Sequence, residues 1–156
     1  MTHDELIDRT LLTELVQRFA RAIDARDWEA FRECLDDTVS VQLDSSIGGS
    51  DPAPMPAAER VAKAREFFDP LEATHHHVTV CTVTLDGDSA EVTSNFRAGH
   101  FKRHLIGAAT FDQVGHYVHR CRRSGDTWVI AGWTQSIAYS QGNTAVLARG
   151  GDATGD

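Results

Sequence analysis

The chain has 156 residues, enough for one domain whose buried core needs neither disulfides nor a structural metal. Fifteen basic against 23 acidic residues leave a net charge of −8, and only two of the basic residues are lysines, a balance that argues against nucleic-acid or anionic-membrane partners. No apolar run reaches the roughly 20 residues of a membrane helix, and Met1 to Arg9 lacks the basic-then-apolar order of a signal peptide, so a cytoplasmic location is expected.

Thr2 and Glu5 have capping-box spacing, and Leu11, Leu12, Leu15, Phe19, Ala22 and Ile23 then recur with helical period, which predicts a long amphipathic helix over 4–24. Asp27 caps a second, shorter helix through Trp28, Phe31 and Leu35, after which Val39, Val41 and Leu43 alternate as in a strand. The polar stretch from Ser45 to Pro56 reads as a loop. Pro56 then opens a third helix through Ala57, Val61, Ala64 and Phe68, which Asp69-Pro70 stops.

From Thr74 onward the period becomes two, with turns at Asp86-Gly87-Asp88 and Ser124-Gly125-Asp126 and a long excursion from Lys102 to Thr110, which predicts four long antiparallel strands. Helices followed by such a meander read as an α+β fold, three N-terminal helices packed on a strongly curved, mostly antiparallel sheet. A single domain is expected over 1–149, followed by a disordered tail over 150–156. Cys34, Cys81 and Cys121 are odd in number and scattered, so they are expected as buried free thiols rather than a disulfide framework or a CxxC motif.

Parity along the strands sorts the polar residues. Phe96, Ala98 and His100 share the apolar face of one strand, whereas Asn95 and Arg97 point the other way. Within THHHVT, His76 travels with Val78 and Val80, and His75 and His77 face outward. Asp24 follows Ile23 at the end of the first helix, where a buried carboxylate needs a partner. A carboxylate bonded to one nitrogen of a neutral imidazole fixes its tautomer, which frees the other nitrogen to take a proton.

The segments AIDARDWEAF, THHHVTVCTVTLDGDSAEV and GHYVHRCRRSGDTWVIAG resemble, in order and over nearly the whole chain, the SnoaL-like family of the nuclear transport factor 2-like superfamily. That resemblance implies a cone-shaped roll enclosing an apolar pocket. Among its members the chain is most similar to scytalone dehydratases and hexachlorocyclohexane dehydrochlorinases, whose first helix ends in an Asp facing a strand-borne His. Asp24 falls on that Asp, His76 on that His by its spacing to Thr79, and His100 on a second pocket histidine of the dehydratases. Two positions depart from the dehydratases: Ile23 replaces a tyrosine, and Tyr117 or His116 replaces a pocket asparagine.

The resemblance implies an acid–base lyase, isomerase or polyketide cyclase without a cofactor. Asp24, His76 and His100 are its expected catalytic residues. Tyr117, His116, Trp28, Phe96 and Trp133 are expected to contact a small, largely apolar, oxygenated substrate. Homodimers or homotrimers formed through the outer sheet face, near Arg120, Arg122 and Arg123, are expected as well.

Other readings compete with these. Asp24 could merely pair with Arg21 or Arg97, and an Asp/Arg/Asp hydrolase would need the outward-facing Arg97. His75/His77, His100/His104 or His116/His119 could supply metal ligands, but no HExxH or His/carboxylate spacing supports a metal, and none is expected. The alternative from another class is a ligand-binding module or the small subunit of an oxygenase.

Overall fold

The computed structural model describes residues 1–45, 52–103 and 105–148. The expected tail over 150–156, most of the polar loop after Ser45, and His104 lie outside the described residues.

Helix α1 (His3–Ala25) starts on the capping box read from the sequence: Glu5 N–H donates to Thr2 Oγ1 and Thr2 N–H to Glu5 Oε2. Its stripe of Leu12, Leu15, Val16, Phe19, Ala22 and Ile23 is buried. Arg26 ends the helix in the left-handed region at φ 58°, an uncommon conformation for a side-chain-bearing residue. Asp27 then accepts from Ala30 N–H to cap α2 (Trp28–Glu33). This break leaves Asp24 in the final turn of α1.

Strand β1 (Leu35–Gln42) begins four residues before the expected alternation, because Leu35 already pairs with the sheet beside Ile130. Met55–Pro56 forms a two-residue strand, β2, on β1, inside the stretch expected to be a loop. Helix α3 (Ala57–Phe68) follows, then the four long strands β3 (Ala73–Asp86), β4 (Ser89–Phe101), β5 (Thr110–Ser124) and β6 (Thr127–Gly142).

The sheet runs β2-β1-β6-β5-β4-β3, antiparallel except where β1 lies parallel to β6. Register shifts at Val80/Thr82, Val114/Gly115 and Arg120/Cys121 mark bulges, which bend strands and increase their twist. Gly115 is required at one of them, since a Cβ there would overlap the Ser136 carbonyl oxygen. Curved this way and unclosed, the sheet receives the helices on its concave face. Arg9 pins α1 to the edge strand through a 2.6 Å bond to the Val83 carbonyl.

Cys34 and Cys121 are buried thiols, and burial pushes Cys121 up to about 12. Cys81 is exposed, contrary to expectation, because it falls at the β3 bulge and takes the outward side. The arginines of β5 bind within the chain: Arg122 grips Asp36 at 2.8 and 2.7 Å, and Arg123 grips Asp8 while lying 4.4 Å from the Trp128 ring. No helix among the described residues is long and apolar enough to cross a membrane.

Candidate active site

Asp24 and His76 meet where the end of α1 crosses edge strand β3. Asp24 Oδ2 accepts the His76 backbone N–H at 2.8 Å, and Oδ1 lies 2.6 Å from His76 Nδ1. The carboxylate is therefore the acceptor on both sides, and the ring proton belongs on Nδ1. The Nε2 nitrogen makes no hydrogen bond to a described residue.

Asp24 sits at the negative end of the α1 dipole, with no basic side chain in the last turn. The Asp24 carboxylate faces the His76 ring from that end of the helix. The competing ion pairs do not form: Arg97 faces outward and holds Asp112 at 2.6 Å. His75 faces outward as read, 70% exposed, yet its Nδ1 lies 3.5 Å from Asp24 Oδ2 at the rim.

His100 stands beside the pair. Its ring centroid is 6.2 Å from that of His76, and Phe68 of α3 packs at 5.8 Å from His76 and 6.2 Å from His100. Thr74, the cross-strand partner of His100, lies 2.9 Å from Nδ1 through its hydroxyl. Burial, helped by the nearby positive charge on His76 when it forms, pushes His100 down to about 4. The Gln113 amide opposes that shift from beside the ring without reaching hydrogen-bond geometry, since His100 Nε2 and Gln113 Nε2 are both buried without a partner. His100 is thus a neutral imidazole at working pH. When the Thr74 hydroxyl donates to Nδ1, Nε2 is a donor aimed inward.

Tyr117 is buried and stacked on Phe96 at 4.3 Å, and burial, with the Asp24 charge adding to it, raises its phenol far above the ordinary value. Tyr117 shares the inward face of the sheet with His100, one strand away on β5. The dyad opens to solvent through a groove of about 390 Å³ between α1 and β3, lined by Gln17, Arg21, Asp24, Thr74, His76 and Val78. That opening has a polar rim formed by Gln17, Arg21 and Asp24. Among the described residues no three His, Cys, Asp or Glu side chains converge on a point where a metal could sit.

A model of the SnoaL-like domain matches residues 4–134. The chain belongs to the SnoaL-like family. No curated protein matches it. Among solved structures it is similar to a protein of Kribbella flavida, 26% identical, with a TM-score of 0.82 over 88% of this chain and 95% of that one. It is similar in fold to a type 2 hexachlorocyclohexane dehydrochlorinase, 13% identical, with a TM-score of 0.75 over 90% and 91% of the two chains. A scytalone-dehydratase-like protein of Novosphingobium aromaticivorans is 14% identical, with a TM-score of 0.76 over 92% of each chain.

Of the residues expected to line the pocket of this SnoaL-like domain, Phe96, Tyr117 and Trp133 are buried on the concave side. Trp28 is half-buried and packs edge-on against Phe31, on the core cluster. His116 is corrected: it is exposed, because it lies one residue from Tyr117 on β5 and so points through the opposite face.

Sequence reasoning missed Thr74, Gln113, His119 and Arg60. His119 shares the parity of Tyr117 and Cys121, which was a sufficient signal for an inward ring. Arg60 falls on the buried stripe of α3 with Ala57, Val61 and Ala64, and a charge inside an apolar stripe was its signal.

Proposed function

We propose that the chain is a cofactor-independent acid–base enzyme, a dehydratase-type lyase or a related isomerase or cyclase acting on an oxygenated cyclic metabolite such as a polyketide. The observation that supports this reading most is the 2.6 Å Asp24–His76 contact, which leaves His76 Nε2 free beside the groove. His76 Nε2 takes a proton from a carbon next to a carbonyl. The electron pair moves onto the carbonyl oxygen, where His100 Nε2–H or the Tyr117 hydroxyl donates to the oxyanion. On collapse the pair forms a C=C bond, the C–O bond to a β-hydroxyl breaks, and the imidazolium returns its proton so that water leaves. Isomerisation follows instead when the proton returns to a different carbon.

A positioned base of this kind contributes about 10²–10⁴-fold, and the oxyanion donors supply part of the rest. The test uses 3-hydroxy-1-tetralone, whose loss of water gives fluorescent 1-naphthol, together with deuterium exchange at its C2 in heavy water. The wild type should accelerate one or both, and Asp24→Asn and His76→Ala should each remove the acceleration while remaining folded. Acceleration that survives both substitutions would refute the dyad mechanism.

A second reading takes the domain as a ligand-binding module or an oxygenase small subunit. The buried Ile23, at the position of the dehydratases' polarising tyrosine, favours it. An obligatory large partner would then co-purify in a pulldown from native extract.

A further inference from the structure

Deeper on the concave face, several polar atoms have no partner among the described residues. Ser94 Oγ, Gln113 Nε2, both ring nitrogens of His119 and the Nε of Arg60 are buried and unbonded. An unsatisfied buried group costs about 1–3 kcal/mol, and native interiors hold few of them. A desolvated cation without a counter-charge costs more still.

Two of these groups meet at one indole. Arg60 reaches in from α3 with its Cζ 5.5 Å from the Trp133 ring centroid, and it forms no ion pair with a described residue. His119, the cross-strand partner of Trp133, is fully buried, and its ring lies 6.5 Å from the indole at 37°. Phe19 packs edge-on against both rings, at 5.3 Å from His119 and 5.1 Å from Trp133. Burial, with the Arg120 charge adding to it, pushes His119 down to about 4. The Val92 backbone opposes this from beyond hydrogen-bond geometry, since neither ring nitrogen has a partner. At neutral pH the ring therefore offers one donor and one acceptor.

Helix α3 joins this place to the dyad. The eight residues from Arg60 to Phe68 rise about 12 Å along the helix, and the Phe68 ring lies 5.8 Å from that of His76. Across the sheet, β6 and β3 are three strand spacings apart, about 14 Å before curvature. The two places are therefore on the order of 12–14 Å apart at the backbone, and closer between the side chains that both project onto the concave face.

We infer that Arg60 and His119, meeting at Trp133, form a second polar subsite that receives a carboxylate carried by a fused-ring substrate. The acid–base reading fixes only where the reacting end lies; the subsite stands on its own residues. A guanidinium pairs with the two carboxylate oxygens, a neutral imidazole adds a donor, and the indole packs against the rings. A neutral carbonyl alone would leave the charge on Arg60 uncompensated.

Isothermal titration with 2-naphthoate and with its neutral isostere 2-naphthamide tests this. The wild type should bind the carboxylate at least about tenfold more tightly than the amide, as expected for a charge-assisted pair. Arg60→Gln should erase that preference without changing affinity for the amide, and Arg60→Lys should retain part of it. His119→Phe should weaken the carboxylate more than the amide, which provides a second readout should Arg60→Gln fold poorly. Equal affinities in the wild type, or a preference that survives Arg60→Gln, would overturn the assignment. A preference lost in His76→Ala but kept in Arg60→Gln would put the carboxylate at the dyad, also overturning it. Turnover of the hydroxytetralone, which carries no carboxylate, reports on the dyad separately.

Discussion

The two ends of the concave face treat their polar groups in opposite ways. At the α1–β3 crossing, Asp24 is bonded to the backbone and ring of His76, and His100 is bonded to Thr74. At the α3–β6 end, both ring nitrogens of the fully buried His119 and the Nε of the half-buried Arg60 have no partner among the described residues. At the dyad the chain holds Asp24, His76 and the Nδ1 side of His100 through its own bonds and leaves His100 Nε2 unbonded to any described residue, as a base and its donor require before any substrate arrives. Among the described residues the second region holds no partner for the His119 ring nitrogens or the Arg60 Nε, as is the case in a recognition surface until its ligand is bound. On the proposed reading, chemistry and selectivity would lie at different ends of one face, joined by α3.

The largest effect should come from removing the base. With the hydroxytetralone as substrate, His76→Ala should lower kcat by about 10²–10⁴-fold. Asp24→Asn should do the same, since it keeps the shape and removes the charge behind the imidazole.

Acid should unfold the protein through its two buried neutral histidines. Both His100 and His119 fall to about 4 in the folded chain, against about 6.5 when unfolded. Between those values the unfolded chain binds more protons, so the stabilisation is complete above about pH 6.5 and is lost as pH falls toward 4. Each histidine should account for on the order of 3 kcal/mol over that window. Urea titrations at pH 7 and pH 4.5 would show the loss, and His119→Phe should flatten it. Asp8, Asp36 and Asp112 are held below the ordinary carboxylate range by hydrogen bonds from Arg123, Arg122 and Arg97 respectively. Their contribution is lost only at still lower pH, so it does not obscure the histidine window.

Smaller changes sharpen the contrast between the ends. Thr74→Val removes the hydroxyl that orients His100, and a lost hydrogen bond of about 1 kcal/mol predicts roughly a fivefold fall in kcat. His75→Ala should change kcat by less than about twofold, because an exposed pair is worth little. A large loss in His75→Ala would move the rim into the mechanism.

Much of this arrangement was legible in the chain because strand parity is strict. Parity placed His76 and His100 inward and Arg97 outward, and the capping box and apolar stripe set the frame of α1. The same rule, applied to His116 and His119, would have exchanged their roles; reading Tyr117 and its neighbour as interchangeable put His116 in the pocket. The early start of β1 and the β2 pairing depend on long-range partners at Ile130 and Val39, which no local pattern announces. Cys81 was misplaced because a bulge breaks the alternation on which parity rests. The polar rim of the groove comes from Gln17 and Arg21 on the solvent side of α1, a property of how helix and strand meet.

The most direct test of the dyad is the ring ¹⁵N NMR spectrum of His76 at neutral pH, assigned by its loss in His76→Ala. The geometry predicts the neutral tautomer with its proton on Nδ1, donated to Asp24, and a loss of that bias in Asp24→Asn. A His76 ring carrying its proton on Nε2, or one indifferent to Asp24→Asn, would contradict a base poised toward the substrate.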